Sequence, residues 1–164
     1  MKKIIFLIIS TALYFCISGC AGYKPIFGSS NFNFKIENHT IKGDERLSNL
    51  IYKKLRNISL SNKDNPSAQS INLIIETTKE KKPRVKNSAG KILEYEINIK
   101  TYFIMDDYLT DKIILKKNFS YSISYKVQEA HSETIKLEKK NIESLINKTY
   151  QDILIKISET LSMQ

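Results

Sequence analysis

The chain has 164 residues, a formal net charge of +9 at pH 7 and 41% hydrophobic residues, which suits one domain with its own core. Its two cysteines, Cys16 and Cys20, exclude a scaffold held by several disulfides. The excess of Lys and Arg favours an anionic partner, although a general enrichment in Ile, Asn and Lys is an alternative explanation of the charge.

The N-terminus has the features of a bacterial lipoprotein signal. Two lysines precede an apolar stretch, residues 4–17, that is short for a membrane span but typical of a signal peptide. The Ile-Ser-Gly-Cys sequence at residues 17–20 resembles a lipobox, in which the chain is cut before the cysteine and the cysteine carries acyl chains. We therefore predict a signal peptide over residues 1–19 and lipid attachment at Cys20. An ordinary secretory signal and an uncleaved anchor are the alternatives.

The residues after this cysteine predict a lipidated tether over residues 20–30, because aromatic residues are mixed there with Gly and Pro. Cleavage removes Cys16 and acylation uses Cys20, so no cysteine remains for a disulfide. Many inner-membrane lipoproteins of Gram-negative bacteria carry Asp where this chain has Ala21, which predicts an outer-membrane location. An exported address also argues against a nucleic-acid partner.

A strand and a helix are predicted next. Phe32, Phe34 and Ile36 alternate with polar residues, as in a half-buried strand, and residues 38–43 are interpreted as a turn. Asp44 is a candidate N-cap for the helix that follows. The apolar residues of that helix recur every three or four positions, at Leu47, Leu50, Ile51, Leu55 and Ile58.

Three alternating runs follow the polar loop at residues 61–67. The first begins at Ile71 and is predicted to reach about Thr78, the second covers residues 93–105 and the third residues 119–125. Alternation of this length predicts strands with one apolar and one polar face. The polar residues 106–111 predict a tight turn that joins the second and third runs as a hairpin.

A helical period returns in the C-terminal segment, from about Ser132 to Ser162, with Ser132 as the predicted N-cap. The element order predicts that residues 31–164 form an α+β two-layer sandwich. Its sheet would be four-stranded and mainly antiparallel, with both helices packed on the apolar face. The polar face, or an exposed edge strand, would be available to a partner.

The sequence contains no recognisable catalytic or metal-binding motif. His39 and His131 have no second ligand at a metal-binding spacing, and the adjacent residues 131–133 cannot easily converge as a catalytic triad. The aspartates of residues 106–111 could hold a cation, but a solvated turn is the preferred interpretation. The sequence therefore offers no good candidate for a catalytic or metal site, and no cofactor is predicted apart from the covalent lipid on Cys20.

A dense basic cluster lies between the first and second alternating runs. It contains one acid, Glu80, and the positions of Pro83 and Gly90 predict a bend there. A positive bend suits phosphate groups, whereas a solvated loop that keeps the protein soluble is the alternative. The cations are Lys79, Lys81, Lys82, Arg84, Lys86 and Lys91.

The whole pattern resembles the LptE family of lipopolysaccharide-assembly lipoproteins. The lipobox is followed by an aromatic, Pro-containing segment, residues 22–28, similar to the segment after the family's cysteine. After a strand, a helix and the charged bend, residues 93–97 (LEYEI) look like the family's Glu-Tyr strand. A polar helix start with Lys136 and Glu138 then runs into a long amphipathic C-terminus.

This resemblance implies a non-enzymatic role at the outer membrane. LptE proteins plug the LptD β-barrel, help it assemble and bind lipopolysaccharide on its way to the cell surface. The family's basic binding positions lie at the strand–strand bend and near the start of the last helix. They match Lys86 or its neighbours Arg84 and Lys82, and Lys136. The implied partners are therefore an LptD-type barrel, lipopolysaccharide and, through the lipid anchor, the membrane.

Two other classes of protein are compatible with the sequence. An accessory lipoprotein of a phospholipid or solute ABC transporter would also combine a lipobox with a small α+β domain, but it would bind transport components. An envelope hydrolase would need a nucleophile or a carboxylate pair in a cleft, for which the sequence offers no good candidate.

Overall fold

The structure is a computed structural model that describes residues 32–162. The predicted signal peptide (1–19), Cys20 and the tether (20–30) lie outside the described residues. The elements follow in the order β1 (Phe34–Gly43), α1 (Glu45–Ser61), β2 (Gln69–Lys86), β3 (Ile92–Asp107), β4 (Ile113–Lys126) and α2 (His131–Leu161).

The four strands form one sheet with the order β1-β2-β3-β4. β1 and β2 pair in parallel because α1 crosses over between them, whereas β2–β3 and β3–β4 are antiparallel hairpins. The predicted α+β fold, with a mainly antiparallel four-stranded sheet and the order β-α-β-β-β-α, is confirmed.

One face of the sheet supplies the core. Cross-strand partners such as Leu73 and Met105 are both buried, because paired residues point to the same face of a sheet. Both helices add apolar side chains spaced three or four residues apart. Fully buried members of this core include Phe34, Leu47, Ile51, Leu55, Ile97, Ile99, Ile153 and Ile157.

The prediction of a turn at residues 38–43 is wrong. These residues continue β1 and pair with β2 as far as Gly43, which lies beside Thr77. A bulge between Ile36 and Asn38 shifts the alternation by one residue, so the sequence no longer shows a regular period of two. β1 is also an edge strand with mostly exposed side chains, which explains its polar composition.

β2 continues past Thr78, its predicted end, as far as Lys86. Its side chains beyond Thr77 are exposed, so no apolar alternation identifies this part as a strand. Backbone pairing with β3 holds it in place, up to Lys86 opposite Ile92. Pro83 does not bend the hairpin back but lies at a bulge, which suits a residue without an N–H for the ladder.

The two helices differ in how they begin. Asp44 caps α1 as predicted, with its Oδ1 accepting from the Leu47 N–H at 3.1 Å. The prediction that Ser132 caps α2 is wrong, because the N-cap is Ala130 and no side chain caps the helix. The Thr134 hydroxyl accepts the Gln128 N–H at 2.9 Å, which ties the preceding segment to the helix. Among residues 32–162, no helix is both long and apolar enough to cross a membrane.

The β3–β4 hairpin forms as predicted, with its turn organised by Asp107. The Asp107 carboxylate accepts the backbone N–H groups of Leu109 and Thr110, at 3.1 and 2.9 Å. The hydrogen bond from Gln69 has the largest effect and those from Thr110 come next, and together they lower the pKa of Asp107. This carboxylate is therefore engaged in holding the turn.

Gly43→Ala is expected to destabilise the fold by roughly 3 kcal/mol. Gly43 has a φ of +72°, and a Cβ there would overlap the carbonyl oxygen of Thr77. The close approach is fixed by the Asp44 N–H, which donates to that same oxygen at 2.6 Å. Urea denaturation measures the resulting change in the free energy of unfolding.

Gly90→Ala is the matched control. Gly90 also has a positive φ, +80°, but a Cβ there would meet no atom within 4 Å. We therefore expect a loss of only about 1 kcal/mol, from backbone strain alone. Equal losses for the two variants would contradict the argument that β1 and β2 leave no room for a side chain at Gly43.

Candidate functional site

The predicted basic cluster forms the end of the β2–β3 hairpin, residues 79–91, which we call the basic arm. Every residue of the basic arm is exposed. It carries six cations and one carboxylate, that of Glu80, so its net charge is positive, and the paired strand β3 adds Glu94 and Glu96 opposite it. A strand pair of this kind presents charge on open surface rather than inside a closed pocket.

The tip of the basic arm is a compact turn organised by Asn87. The Asn87 Oδ1 accepts the backbone N–H groups of Ala89 and Lys91, at 3.1 and 2.9 Å. The backbone of Asn87 also bonds to Lys91 and to Gly90, whose φ of +80° suits glycine. Lys86 and Lys91 therefore flank a turn with a defined backbone shape.

Lys82 and Arg84 lie toward the sheet face that the described helices leave uncovered. The Lys82 Nζ is 3.6 Å from a carboxylate oxygen of Glu80. The Arg84 Nη1 donates to the Ser124 Oγ on β4 at 2.8 Å, so the guanidinium reaches across β3. A guanidinium has five N–H donors, and this single bond to a hydroxyl leaves capacity for an anion.

Lys81 points to the other face of the sheet, toward α2. Its Nζ donates to Glu138 Oε2 at 2.6 Å, and the Tyr125 hydroxyl donates to the same oxygen at 2.9 Å. The Nζ also lies 4.2 Å from the centroid of the Tyr95 ring. These four side chains, which we call the Lys81 cluster, join β2, β3, β4 and α2.

The Lys81 cluster keeps its two charges at neutral pH. Burial is the largest single influence and disfavours both charged forms, but the hydrogen bonds and charge interactions that each group makes with the other and with its neighbours together outweigh it. The pKa of Lys81 is therefore raised and the pKa of Glu138 is lowered. Burial raises the pKa of Tyr125, so its hydroxyl remains a donor. Lys81 thus anchors the arm to α2 and is already paired with a carboxylate.

A second tyrosine–carboxylate contact fixes α2 against β4. The Tyr121 hydroxyl donates to Asp152. Burial is the larger cause and this hydrogen bond the second, and together they raise the pKa of Tyr121 to about 12. The Nζ of Lys148 lies 4.7 Å from the centroid of the same ring. Two contacts therefore hold α2 against β4, and the one at Glu138 lies beside the basic arm.

The structure distributes the four sequence-predicted lipopolysaccharide-binding residues over different surfaces. Lys82 and Arg84 lie toward the uncovered sheet face, Lys86 lies at the end of β2, and Lys136 lies in the second turn of α2. All four are exposed. The helix start and the arm are neighbours, because Glu138 binds Lys81. The four cations therefore surround the junction of the arm with α2 and do not converge on one pocket.

Sequence reasoning missed the structural role of Lys81 and Glu138. Lys81 continues the inward-facing series of β2 that includes Ile75 and Thr77, and Glu138 lies four residues before the buried Ile142. Both positions therefore belong to core-facing stripes. Their charge concealed this, since a lysine in a basic run reads as solvent-facing.

Several other titratable side chains among residues 32–162 have local structural roles. The His39 ring stacks on Tyr52, with centroids 3.9 Å apart. Burial and the neighbouring charge of Asp111 raise the pKa of Asp106, while Asp107 holds the β3–β4 turn. In the part of the chain that the structure describes, no three His, Cys, Asp or Glu side chains are grouped so that they could hold a metal ion.

The fold is shared with solved bacterial lipoproteins. An uncharacterized lipoprotein B from Nitrosomonas europaea matches with a TM-score of 0.59 and 17% identity, over 86% of this chain and 93% of that one. A minor lipoprotein from Acinetobacter baumannii matches with a TM-score of 0.54 and 18% identity, over 77% and 94%. A rare lipoprotein B from Shewanella oneidensis matches with a TM-score of 0.53 and 16% identity, over 76% and 96%.

These similarities establish the fold alone. Sequence identities below one fifth carry no information about individual binding residues. No protein-family model matches the sequence. No curated protein matches it either. The described part of the chain is therefore an α+β domain that shares its architecture with bacterial lipoproteins.

Glu138→Gln is expected to lower the stability at pH 7 by about 1 kcal/mol, or roughly 3 to 5 °C in Tm. The pKa of Glu138 is lowered from 4.5, so its contribution is present above pH 4.5 and is lost as the pH falls through the folded-state value. The pKa of Lys81 is raised from 10.5, so its contribution is lost only as the pH rises through that higher value. Thermal unfolding from about pH 3 to pH 9 should show the difference between the proteins disappearing at the acid end.

Glu159→Gln provides the control for this pH dependence. Lys156 and Glu159 are 2.7 Å apart, but their side chains are 43% and 50% exposed, so we expect almost no change in Tm. A Glu138→Gln penalty that persists unchanged at acid pH would contradict the role assigned to the ion pair.

Proposed function

We propose that this protein is a lipid-anchored envelope lipoprotein that acts as LptE proteins do, as the plug and assembly partner of an LptD-type barrel in the outer membrane of a Gram-negative bacterium. It would bind lipopolysaccharide during its transport to the cell surface. The lipobox ending at Cys20 supports the anchor, and the names of the structural neighbours agree with it. The role is one of binding and assembly, without catalysis.

The observation that carries the proposal is the continuation of β2 and β3 beyond the core as the basic arm. The exposed cations of the basic arm, apart from the paired Lys81, match the phosphate groups of lipid A in charge. Arg84 and Lys86 are the preferred binding residues, since neither is paired with a carboxylate among residues 32–162. Lys82 is expected to contribute less, because Glu80 is 3.6 Å away.

The position of α2 supports a role for Lys136. The Lys81–Glu138 pair holds the second turn of α2 beside the arm, and Lys136 lies in that turn. A bulky amphiphile with two phosphates could therefore contact the strand end and the helix start together. In this arrangement Lys81 serves as a positioning residue, while the exposed cations around it contact the ligand.

Isolation of the tagged full-length protein from membranes in mild detergent, with mass spectrometry of its partners, tests the proposal. We expect a large outer-membrane β-barrel at close to a one-to-one ratio. Recovery of ABC-transporter components without a barrel would overturn the LptE-like role and favour the transporter accessory class.

The triple variant Arg84→Ala, Lys86→Ala, Lys136→Ala is expected to bind lipopolysaccharide about a hundredfold more weakly, since each lost charged contact costs of order tenfold and the losses overlap. Affinity is measured on the full-length protein at two salt concentrations. The affinity of the wild-type protein should fall more steeply with salt than that of the variant, because the wild-type protein makes more ionic contacts with the ligand.

A second triple variant, Lys53→Ala, Lys63→Ala, Lys112→Ala, is matched in net charge. These lysines are exposed and lie outside the arm: Lys53 in the middle of α1, and Lys63 and Lys112 in loops at the opposite end of the sheet from the tip of the arm. We expect its affinity to stay within about twofold of wild type. An equal loss in both variants would show that only net charge matters and would contradict a binding site on the basic arm.

A further inference from the structure

A groove of about 700 Å³ lies between α1 and α2, on the helical side of the domain. Its apolar lining comes from both helices, with Leu50 on α1 and Ile135, Ile142 and Ile146 on α2. Ile142 and Ile146 are buried, whereas Leu50 and Ile135 are 37% and 39% exposed. Large aliphatic side chains exposed on facing helices are expected where an apolar group can be accommodated.

The rim of this groove is positive. Arg46 and Lys54 on α1, Lys79 on β2 and Lys139 on α2 contribute four cations to its lining. Two carboxylates also line it, but that of Glu138 is neutralised by Lys81, at 2.6 Å. An apolar floor with an excess of cations at its edge is complementary to a molecule with an apolar tail and an anionic head.

We propose that the groove between α1 and α2 binds one acyl chain of a phosphate-bearing lipid, with the phosphate held by the cations of the rim. The volume of about 700 Å³ is within the range of small-ligand sites. A docked protein helix would need a larger apolar face, because stable protein interfaces bury about 800 Å² per partner. The groove therefore fits a single chain better than a protein segment.

The inference does not depend on the LptE-like role. The groove and the outward-facing cations of the basic arm belong to different surfaces, since Arg84 reaches over the sheet face opposite the helices. A lipid in the groove would contact Leu50 and Ile135 with its chain and Arg46 and Lys139 with its head. These contacts involve none of the four residues proposed to bind lipopolysaccharide.

Photolabelling of the full-length protein in phosphatidylcholine nanodiscs tests the inference. The probe is a long-chain alkyl phosphate with a diazirine in its tail, and an alkyl phosphocholine of the same length is the zwitterionic control. We expect mass spectrometry to find the label on the groove residues Leu50, Ile135 and Ile142. Labelling by the phosphate probe should exceed labelling by the control by about tenfold, the contribution of one charge-assisted contact.

Two double variants then distinguish the contacts to the acyl tail from the contacts to the phosphate head. Leu50→Gln with Ile135→Gln, and separately Arg46→Gln with Lys139→Gln, are each expected to reduce groove labelling about tenfold. All four residues are exposed, so the fold should be retained, and an unchanged Tm verifies it. Leu60→Gln with Ile155→Gln is the apolar control and Lys53→Gln with Lys140→Gln the charge control, on the same helices outside the groove.

The inference is overturned if the label is spread over the surface, if both probes label equally, or if the control pairs reduce labelling as strongly as the groove pairs. Arg84→Ala with Lys86→Ala should leave groove labelling unchanged. Loss of lipopolysaccharide binding in that variant with intact groove labelling would support both proposals. Intact groove labelling in a protein that isolates without a barrel would support the groove and reject only the LptE-like role.

Discussion

The pairing of β2 with β3 is the interaction on which the rest of the structure depends. These two strands are central in the sheet, so β1 and β4 each attach to one of them. Their ladder runs from Ile71 opposite Asp107, within the core, to Lys86 opposite Ile92 in the basic arm. One continuous set of backbone hydrogen bonds therefore holds both the apolar core and the exposed arm. This allows charged residues to be presented without an apolar surface of their own.

The Lys81 cluster connects this hairpin to the second helix. An unpaired lysine on the helix-facing side of β2 would have its charge desolvated at a cost in folding free energy. Glu138 and Tyr125 supply the partners that offset this cost. The result is a defined position of the start of α2 relative to the arm. Because the side chains remain partly exposed, 34% for Lys81 and 19% for Glu138, the pair contributes modestly to stability. Its main effect is to set the geometry of the surface around it.

Two surfaces of different chemistry follow from this arrangement. The basic arm offers cations on open strands, which suits the recognition of phosphate groups at the surface of a large amphiphile. The helical groove combines an apolar floor with cations, which suits a chain and its headgroup. Arg84 reaches over the sheet face opposite the helices, whereas Lys79 of the arm lines the groove, so the two surfaces adjoin at the base of the arm.

The sequence by itself determined the α+β class, the element order, the cap at Asp44 and the β3–β4 hairpin, because these depend on local periodicity and turn chemistry. It also located the basic cluster, since charge density is a property of composition. Only the tertiary structure decided that residues 38–43 are a strand and that β2 extends to Lys86, because both depend on backbone pairing with a distant partner.

The same reason explains why Lys81 and Glu138 were not recognised as partners. They are 57 positions apart in the chain, and their contact exists only once α2 packs on the sheet. The groove likewise requires two helices that are separated in sequence by three strands. Local patterns fix which face of an element is apolar, whereas packing decides which charges meet and where an apolar face stays open.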